Sequence, residues 1–167
     1  LVLWFLLFLA TLAVLGKRAP ALFRAVREPT LLAFATASSE AAYPKTLAQL
    51  EKFGCSNRVA SFVLPLGYSF NLDGSMMYCT FAVMFIAQVY GIELAFGEQV
   101  AMLAVLMLTS KGIAGVPRAS LVVIAATLAQ FNIPEAGLLL LLGIDHFLDM
   151  GRSATNVIGN SLATVLV

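Results

Sequence analysis

Polar side chains recur on one face of the segment IDHFLDMGRSATNVIGN (residues 144–160). At 100° per residue, Asp145, Asp149, Arg152, Asn156 and Asn160 fall within a face about 80° wide. In a strongly apolar chain, such a face must lie against other protein or a water-filled cavity. An ionisable side chain inside a membrane is a functional candidate by default, and this row supplies both signs of charge.

The charged members of this row suit a small zwitterion with an additional carboxylate. Arg152 presents a planar fork of donors that can bind a carboxylate through two hydrogen bonds. Asp149 can accept a hydrogen bond from an ammonium group. A second interpretation stays open, in which the two side chains form a simple ion pair that holds helices together.

The stretch YSFNLDGSMMY (residues 68–78) places Asn71 and Asp73 between two apolar runs. A buried carboxylate without a partner is very costly. Asn71, Asp73, Asn156 and Asn160 all offer hard oxygen ligands, which suit a small cation such as sodium. The pattern therefore favours the hypothesis that Asp73 pairs with a transported cation.

The composition indicates an integral membrane protein. Hydrophobic residues make up 60% of the 167 positions, charged residues 11%, and the mean hydropathy is +0.93. An ordinary soluble domain has about 45–50% apolar and about 25% charged residues. The net charge of +1 and the scattered basic residues give no indication of a nucleic-acid partner. Two cysteines, Cys55 and Cys79, provide neither a disulfide framework nor a metal-binding spacing, and we expect no cofactor.

The distribution of charge predicts the course of the chain through the bilayer. Seven of the ten basic residues lie in two loops, at 17–27 and 45–58, and both loops should be cytoplasmic. The helix between them, from Arg27 to Ser38, would rise about 18 Å against a hydrocarbon core of about 30 Å. It must therefore enter, turn and return as a re-entrant hairpin. Ordinary turns between short spanning helices are the alternative.

A second interrupted segment follows a long apolar run. Residues 74–92 can span once and lead to an acidic loop with Glu93 and Glu98, which we expect to lie outside. Residues 99–130 then carry apolar arms around SKGIAGVP and return to the same side, and the last segment runs inward. The sequence thus predicts an all-α membrane protein with two oppositely oriented re-entrant helical hairpins.

Each half of this arrangement is a broken hairpin followed by a helix with polar residues. Paired Gly/Pro-interrupted segments in two inverted halves are typical of the binding site of a secondary transporter. Ser38, Ser39 and the backbone amides at the hairpin tips could hold a second carboxylate, as the N-termini of broken helices do. Because residues 1–16 are apolar from the first position and have no basic leader, we expect the chain to begin within a helix.

Four motifs, FATASSEAAYP, LPLGYSFNLDGS, SKGIAGVP and GIDHFLDMGRSATNVIGN, occur in this order and closely resemble the dicarboxylate/amino acid:cation symporter family. The resemblance implies one partial transport domain of the elevator type, multi-pass in the inner (cytoplasmic) membrane of a homotrimer whose scaffold helices lie upstream. Its segments would be the end of a transmembrane helix (1–16), hairpin 1 (20–52), a transmembrane helix (57–90), hairpin 2 (97–131) and a last transmembrane helix (134–167).

The resemblance also implies roles for individual residues. Arg152 would bind the side-chain carboxylate of the substrate and Asp149 its ammonium group. The remaining pocket residues would be Ser39, Ser75, Gly115, Val116, Ser153 and Asn156, beside Ser38, which the chemistry of the hairpin tip adds. The cation sites would comprise Asn71, Asp73 and Asn156, with backbone carbonyls around Gly67, Ser69 and Ser110, beside Asn160, which the chemistry of its side chain adds.

Three positions depart from the family pattern. Asn160 lies where many sodium-coupled members have Asp, which weakens a sodium site. Ala37 lies where archaeal members have Arg, and Arg118 replaces a small residue. Because Asp149 should repel a substrate without an ammonium group, we expect aspartate or glutamate, coupled to Na⁺ or H⁺. The alternative substrate is a C4-dicarboxylate such as succinate, fumarate or malate.

Two other classes of protein fit the sequence less well. An intramembrane hydrolase could use Asp73 with Asp149, or Ser110 with His146, but the chain contains neither a metalloprotease helix motif nor a nucleophile elbow. Arg152 would also favour the charged form of Asp149 and oppose a dyad that shares a proton. An inactive membrane fragment is the other alternative.

His146 lies off the polar face of residues 144–160, and Glu40 lies beside the turn of the first hairpin. Either side chain could carry protons, although helix packing for His146 and solvent exposure for Glu40 are simpler roles.

Overall fold

The computed structural model describes residues 2–112 and 119–167, and every element in this part of the chain is a helix. The all-helical class predicted from the sequence is confirmed. The α-helices of the described residues are α1 (Val2–Leu15), α2 (Ala19–Thr36), α3 (Tyr43–Phe53), α4 (Asn57–Phe70), α5 (Asp73–Val89), α6 (Phe96–Thr109), α7 (Ala119–Gln130), α8 (Leu139–Leu142) and α9 (Asp145–Leu166). Short 3₁₀ turns cover Gly16–Arg18, Ser110–Gly112 and Glu135–Leu138.

Helix α9 is the central element of the fold. It contacts α1, α2, α3, α4, α5 and α8, and its most extensive interface is with α2. Every residue from Ser153 to Leu162 is buried. A helix buried on all sides is a core helix. The polar residues of α9 therefore lie inside the protein and need protein partners.

Helices α2 and α3 form an antiparallel hairpin. At Ala37, which has left-handed backbone angles (φ 49°, ψ 32°), the chain leaves α2, and its N–H donates to the carbonyls of Ala33 and Phe34. Pro44 lies in the first turn of α3, where its missing N–H would have had no helical partner. Ala33 and Ala42 pack against Val157. The tip of this hairpin thus lies beside the middle of α9.

The segment 57–90, predicted as one helix, is interrupted. Helix α4 ends at Phe70 and α5 begins at Asp73, and the backbone angles of Asn71 (φ −117°, ψ 68°) and Leu72 (φ −104°, ψ 59°) are not helical. Glycines flank the break where α9 comes close. A Cβ on Gly67 would lie 2.5 Å from Oδ1 of Asn160, and one on Gly74 would lie 2.5 Å from the carbonyl oxygen of Arg152.

The segment 134–167 is also divided, with α8 followed by a break at Gly143–Ile144 before α9. Helices α6 and α7 pack against each other and against α5. Their shared apolar core includes Ile86, Leu106, Ile124 and Leu128, all fully buried. The 3₁₀ turn after α6 contacts α4. Gly115, Val116 and Arg118 lie outside the described residues.

Within the part of the chain that the structure describes, two helical stretches, Val2–Thr36 and Asn57–Val89, are long and apolar enough to cross a membrane. The second includes the break at residues 71–72. Large apolar side chains are also exposed on the outer surface, among them Phe5, Phe62, Phe81, Phe96 and Phe147. A surface of this kind suits contact with lipid or with other apolar protein.

Candidate functional site

Asp149 and Arg152 form a buried ion pair within α9. Nε of Arg152 donates a hydrogen bond to Oδ1 of Asp149 at 2.6 Å, and Nη2 contacts the same oxygen. Only 9% of the Arg152 side chain and 6% of the Asp149 side chain are exposed. Charges removed from water are tolerated when they are paired and hydrogen-bonded. Each of these two buried charges is therefore stabilised by the other.

Ser75 and Asn156 extend this pair toward α5. Nη1 of Arg152 and Nδ2 of Asn156 each donate to Oγ of Ser75 at 3.0 Å. Oδ1 of Asn156 accepts from the backbone N–H of Gly74 at 2.9 Å and from that of Ser75 at 3.4 Å. Asn156 thereby satisfies donors in the first turn of α5, which an N-cap side chain would normally satisfy. The guanidinium is therefore held at the N-terminal end of a helix.

The oxygen-rich residues proposed for cations converge around the break. Nδ2 of Asn71 donates to Oδ1 of Asn160 at 3.1 Å. The carboxylate of Asp73 lies against Gly159, where a Cβ would collide with it. Asn160 is fully buried, and its Nδ2 has no hydrogen-bond partner among the described residues. The cluster offers carboxylate and amide oxygens, the hard ligands that sodium prefers.

The other predicted cation ligands lie at helix ends. The carbonyl of Gly67 accepts from the N–H of Asn71 at 2.8 Å, so it also serves the last turn of α4. Ser69 is half-buried near the end of α4. Ser110 is buried and donates to the carbonyl of Met107 at 3.2 Å. The turn that begins at Ser110 contacts α4. The backbone around the break is therefore close to the turn that follows α6.

The serines of the first hairpin tip already face a carboxylate. Oγ of Ser38 and Oγ of Ser39 donate to Oε2 of Glu40 at 3.2 and 3.4 Å. Ser39 is buried and Ser38 is half-buried, whereas Glu40 is exposed. The hydroxyl groups of the tip thus donate to an anionic group that belongs to the chain itself. Ser153 is buried on α9, one residue after Arg152.

Three contacts near the site were not predicted from the sequence. The hydroxyl of Tyr78 donates to Oδ1 of Asp145 at 2.7 Å, and the indole N–H of Trp4 donates to Oγ1 of Thr155 at 2.7 Å. Nζ of Lys111 donates to the carbonyl of Phe70 at 2.9 Å. Tyr78 lies one turn after Ser75, so its position on the inner face of α5 could have been predicted from helical spacing. The contacts of Trp4 and Lys111 carry no such local signal.

A cavity of about 460 Å³ opens beside the pair, between α1, α5 and α9. Its lining is apolar apart from a few polar groups, such as those of Arg152 and Thr155. Residues that line it include Trp4, Met77, Phe81, Phe147, Leu148 and Arg152. His146 is exposed and lies 6.3 Å from the ring of Phe147, away from the polar face of α9.

In the described residues, an all-helical fold with an apolar exterior, a broken helix and a buried arginine–carboxylate cluster at the break has the features typical of the class of membrane transport proteins. More specifically, the whole chain, residues 1–167, matches the sodium:dicarboxylate symporter family, and the chain belongs to that family. The resemblance inferred from the four motifs is confirmed.

Relatives named for two kinds of substrate are similar to this chain. The proton/sodium-glutamate symport protein of Bacillus caldotenax is 51% identical over 146 residues, which cover 87% of this chain and 35% of that protein. The proton/glutamate-aspartate symporter of Escherichia coli K12 is 47% identical, with coverages of 87% and 33%. The C4-dicarboxylate transport protein of Cupriavidus pinatubonensis is 52% identical over 143 residues, with coverages of 85% and 33%. The chain spans about a third of the length of these relatives.

Proposed function

We propose that the chain forms the substrate- and cation-binding part of a symporter that moves aspartate or glutamate together with Na⁺ or H⁺ across the cytoplasmic membrane. Arg152 binds the side-chain carboxylate of the substrate and Asp149 its ammonium group. Ser75, Ser153 and Asn156 complete the pocket on α5 and α9, with Ser38 and Ser39 at the first hairpin tip. Gly115 and Val116 belong to the pocket through the second hairpin.

The observation that carries this proposal is the hydrogen-bonded cluster of Asp149, Arg152, Ser75 and Asn156 at the N-terminal end of α5. A guanidinium held by the carboxylate of Asp149 and the hydroxyl of Ser75 keeps a defined orientation, which suits recognition of a planar carboxylate. Substrate would exchange its own carboxylate and ammonium for part of the Arg152–Asp149 contact. Both charges then remain paired with and without substrate.

The cation is proposed to bind at the break between α4 and α5. Asn71, Asp73, Asn156 and Asn160 would supply side-chain or backbone oxygens there. Carbonyls around Gly67, Ser69 and Ser110 would complete the coordination. Non-helical backbone at membrane depth is tolerated where it is buried in protein or lines a cavity, and the break fits this condition.

We further propose that α2–α3 and α6–α7 are re-entrant hairpins that enter from opposite faces of the membrane. Residues 1–167 would then act as one transport domain that moves past a scaffold, in a homotrimer assembled by helices outside this segment. The antiparallel packing of α2 on α3 and the position of its tip beside α9 support the first hairpin. The exposed apolar side chains support contact with lipid and with a scaffold.

A C4-dicarboxylate is the second candidate substrate. Asp149 is already neutralised by Arg152, which reduces its repulsion of a substrate that has no ammonium group. Relatives named as C4-dicarboxylate transport proteins are 49% and 52% identical to this chain. The same cluster could therefore serve succinate, fumarate or malate.

Uptake by the full-length protein in sealed liposomes tests the proposal. Labelled L-aspartate would be followed under an imposed sodium gradient and then under a pH gradient, with succinate as competitor. Gradient-driven aspartate uptake that succinate barely inhibits is the expected result. Uptake dominated by succinate would assign the C4-dicarboxylate instead. Absence of gradient-driven uptake of either compound would refute the symporter proposal.

A further inference from the structure

Lys111 links the turn after α6 to the end of α4. Its Nζ donates to the carbonyl oxygen of Phe70 at 2.9 Å and lies 5.4 Å from the centre of the Phe70 ring. The two residues are 41 positions apart in the chain. The contact therefore joins the second hairpin to the break at residues 71–72.

The position of this ammonium group is one that attracts cations. Phe70 is the last residue of α4, and the carbonyls of a last helical turn lack intrahelical donors. They also carry the partial negative charge of the helix C-terminus. The face of the aromatic ring adds a second attraction for a positive charge. Both features favour any monovalent cation, whether tethered or free.

The charges around the break point the same way. Of the side chains described around the break at residues 71–72, Asp73 carries a negative charge. Asn160 contributes a neutral amide where a carboxylate would have added a second negative charge. An ammonium group already lies at the neighbouring helix end. The break thus combines one carboxylate with one built-in positive charge, which leaves less negative charge to hold free cations.

We propose that the ammonium group of Lys111 acts as a tethered cation at the C-terminal end of α4, where it takes the place of one free monovalent cation in the transport cycle. This inference rests on the symporter function proposed above. Lys111 would thereby set the number of cations that are coupled to transport. Its ammonium group would also hold the second hairpin against the break, so that no free cation from solution is needed for this contact.

The test is a sodium titration of substrate binding to the purified full-length protein in nanodiscs. L-Aspartate and succinate would serve as probes, with choline chloride holding the ionic strength constant. By mass action, log Kd falls as log sodium concentration rises, and the magnitude of this slope reports how many sodium ions bind with the substrate. We expect Lys111→Met to increase that magnitude by about one relative to the wild type, and Lys111→Arg to leave it unchanged.

Matched variants separate this role from a loss of folding. Lys111→Gln should give the same increase in slope, and Lys17→Met, a change at an exposed lysine outside the site, should not. Sodium should also raise the melting temperature of Lys111→Met more than that of the wild type, a readout that needs no substrate. Equal slopes and equal sodium-dependent melting shifts in wild type and variants would overturn the proposal. A wild type that binds neither probe at any sodium concentration or pH would instead overturn the symporter assignment, and this inference with it.

Discussion

At the scale of single side chains, Arg152 is the residue of α9 proposed to bind the substrate carboxylate. Arg152→Cys leaves the carboxylate of Asp149 buried without its cation, a change that typically costs about 3–5 kcal/mol. It also removes the donors proposed to bind the substrate carboxylate. We expect uptake of L-aspartate and of succinate by the full-length protein in liposomes to be abolished.

Arg24→Cys provides the matched control for this change, because Arg24 is exposed on α2 and outside the site. The control should transport at the wild-type rate, and both variants should be compared at equal amounts of monodisperse protein. Unchanged aspartate uptake by Arg152→Cys would contradict the assignment of the pocket.

Asn160 is the residue at which the cation cluster departs most from a sodium site. Its Oδ1 accepts from Asn71 at 3.1 Å, and its buried Nδ2 has no partner among the described residues. Asn160→Asp removes that unsatisfied donor and adds a negative charge. We expect the half-saturating sodium concentration for substrate binding to fall about tenfold, which corresponds to about 1.4 kcal/mol of added attraction.

A sodium titration of the purified full-length protein measures this shift. Asn132→Asp makes the same chemical change in an exposed turn and should leave the titration unaltered. If Asn160→Asp binds sodium no better than the wild type, the cation site must lie away from this cluster.

The sequence predicted which polar residues of α9 share a face but not what they contact. Helical spacing fixes the angle of a side chain around its own axis, so Asp149, Arg152, Asn156 and Asn160 could be grouped from their positions in the chain alone. The partners depend on how helices dock. Ser75 lies 77 residues from Arg152 in the chain, and no local pattern encodes that pairing.

At the scale of helices, the close approach of α5 and α9 depends on Gly74. A Cβ there would lie 2.5 Å from the carbonyl oxygen of Arg152 and 2.9 Å from Cβ of Thr155. The first of these atoms belongs to the backbone of a buried helix and cannot move aside on its own. We expect Gly74→Ala to destabilise the full-length protein by about 1–3 kcal/mol and to weaken substrate binding, because the cluster around Arg152 shifts.

Thermal unfolding in detergent, together with a binding titration, measures both effects. Gly97→Ala is the matched control, since a Cβ at Gly97 in α6 meets nothing within 4 Å. Alanine is also the better helix former, so this control should be as stable as the wild type or slightly more stable. Equal melting temperatures for the two variants would mean that α5 and α9 are less closely packed than described.

The break between α4 and α5 shows why element boundaries were harder to predict than element type. Apolar residues run on both sides of NLDG, and the family resemblance implied one helix over residues 57–90. The interruption covers only Asn71 and Leu72, and the N–H of Asn71 still completes the last turn of α4. A two-residue change of backbone angle leaves no mark on helical periodicity. Gly67 and Gly74 flank the break because α9 packs closely against both, and this packing cannot be inferred from the local sequence.

At the scale of the whole molecule, the proposed orientation in the membrane can be tested with the native cysteines. Cys55 is half-buried between α3 and α4, near Lys52 and Arg58, and the positive-inside rule places this loop in the cytoplasm. Cys79 is fully buried. We expect a membrane-impermeant maleimide to label Cys55 in inverted vesicles but not in intact cells, once any cysteine outside residues 1–167 has been replaced.

The pH dependence of this labelling follows from the environment of the thiol. Burial raises the pKa of the Cys55 thiol above its ordinary value. The reactive thiolate is therefore a minor species at neutral pH, and its fraction increases about tenfold per pH unit below the pKa. The labelling rate should rise throughout the range from pH 7 to 9. Cys55→Ser should abolish labelling, and labelling from the outside of intact cells would contradict the orientation.

The composition was sufficient to predict a membrane protein of helices, because 60% hydrophobic residues leave few other classes. It could not predict that α9 would be the buried centre, since the last segment carries more polar residues than its neighbours. Burial of Asn156 is possible because α5 supplies hydrogen-bond partners, Ser75 and the N–H of Gly74. Burial of that kind is a property of the assembled molecule.

The hydrogen bond between Trp4 and Thr155 has a practical consequence. Trp4 is the single tryptophan of this segment, and Thr155 directly precedes Asn156. The indole also lines the cavity that Arg152 borders. Its emission spectrum depends on the polarity and hydrogen bonding of its surroundings, which here include the hydroxyl of Thr155 and a cavity that Arg152, a residue proposed to hold substrate, also lines. This segment therefore contains an intrinsic fluorophore, and we expect its emission to change when an unlabelled substrate binds, so that binding can be followed by fluorescence in real time.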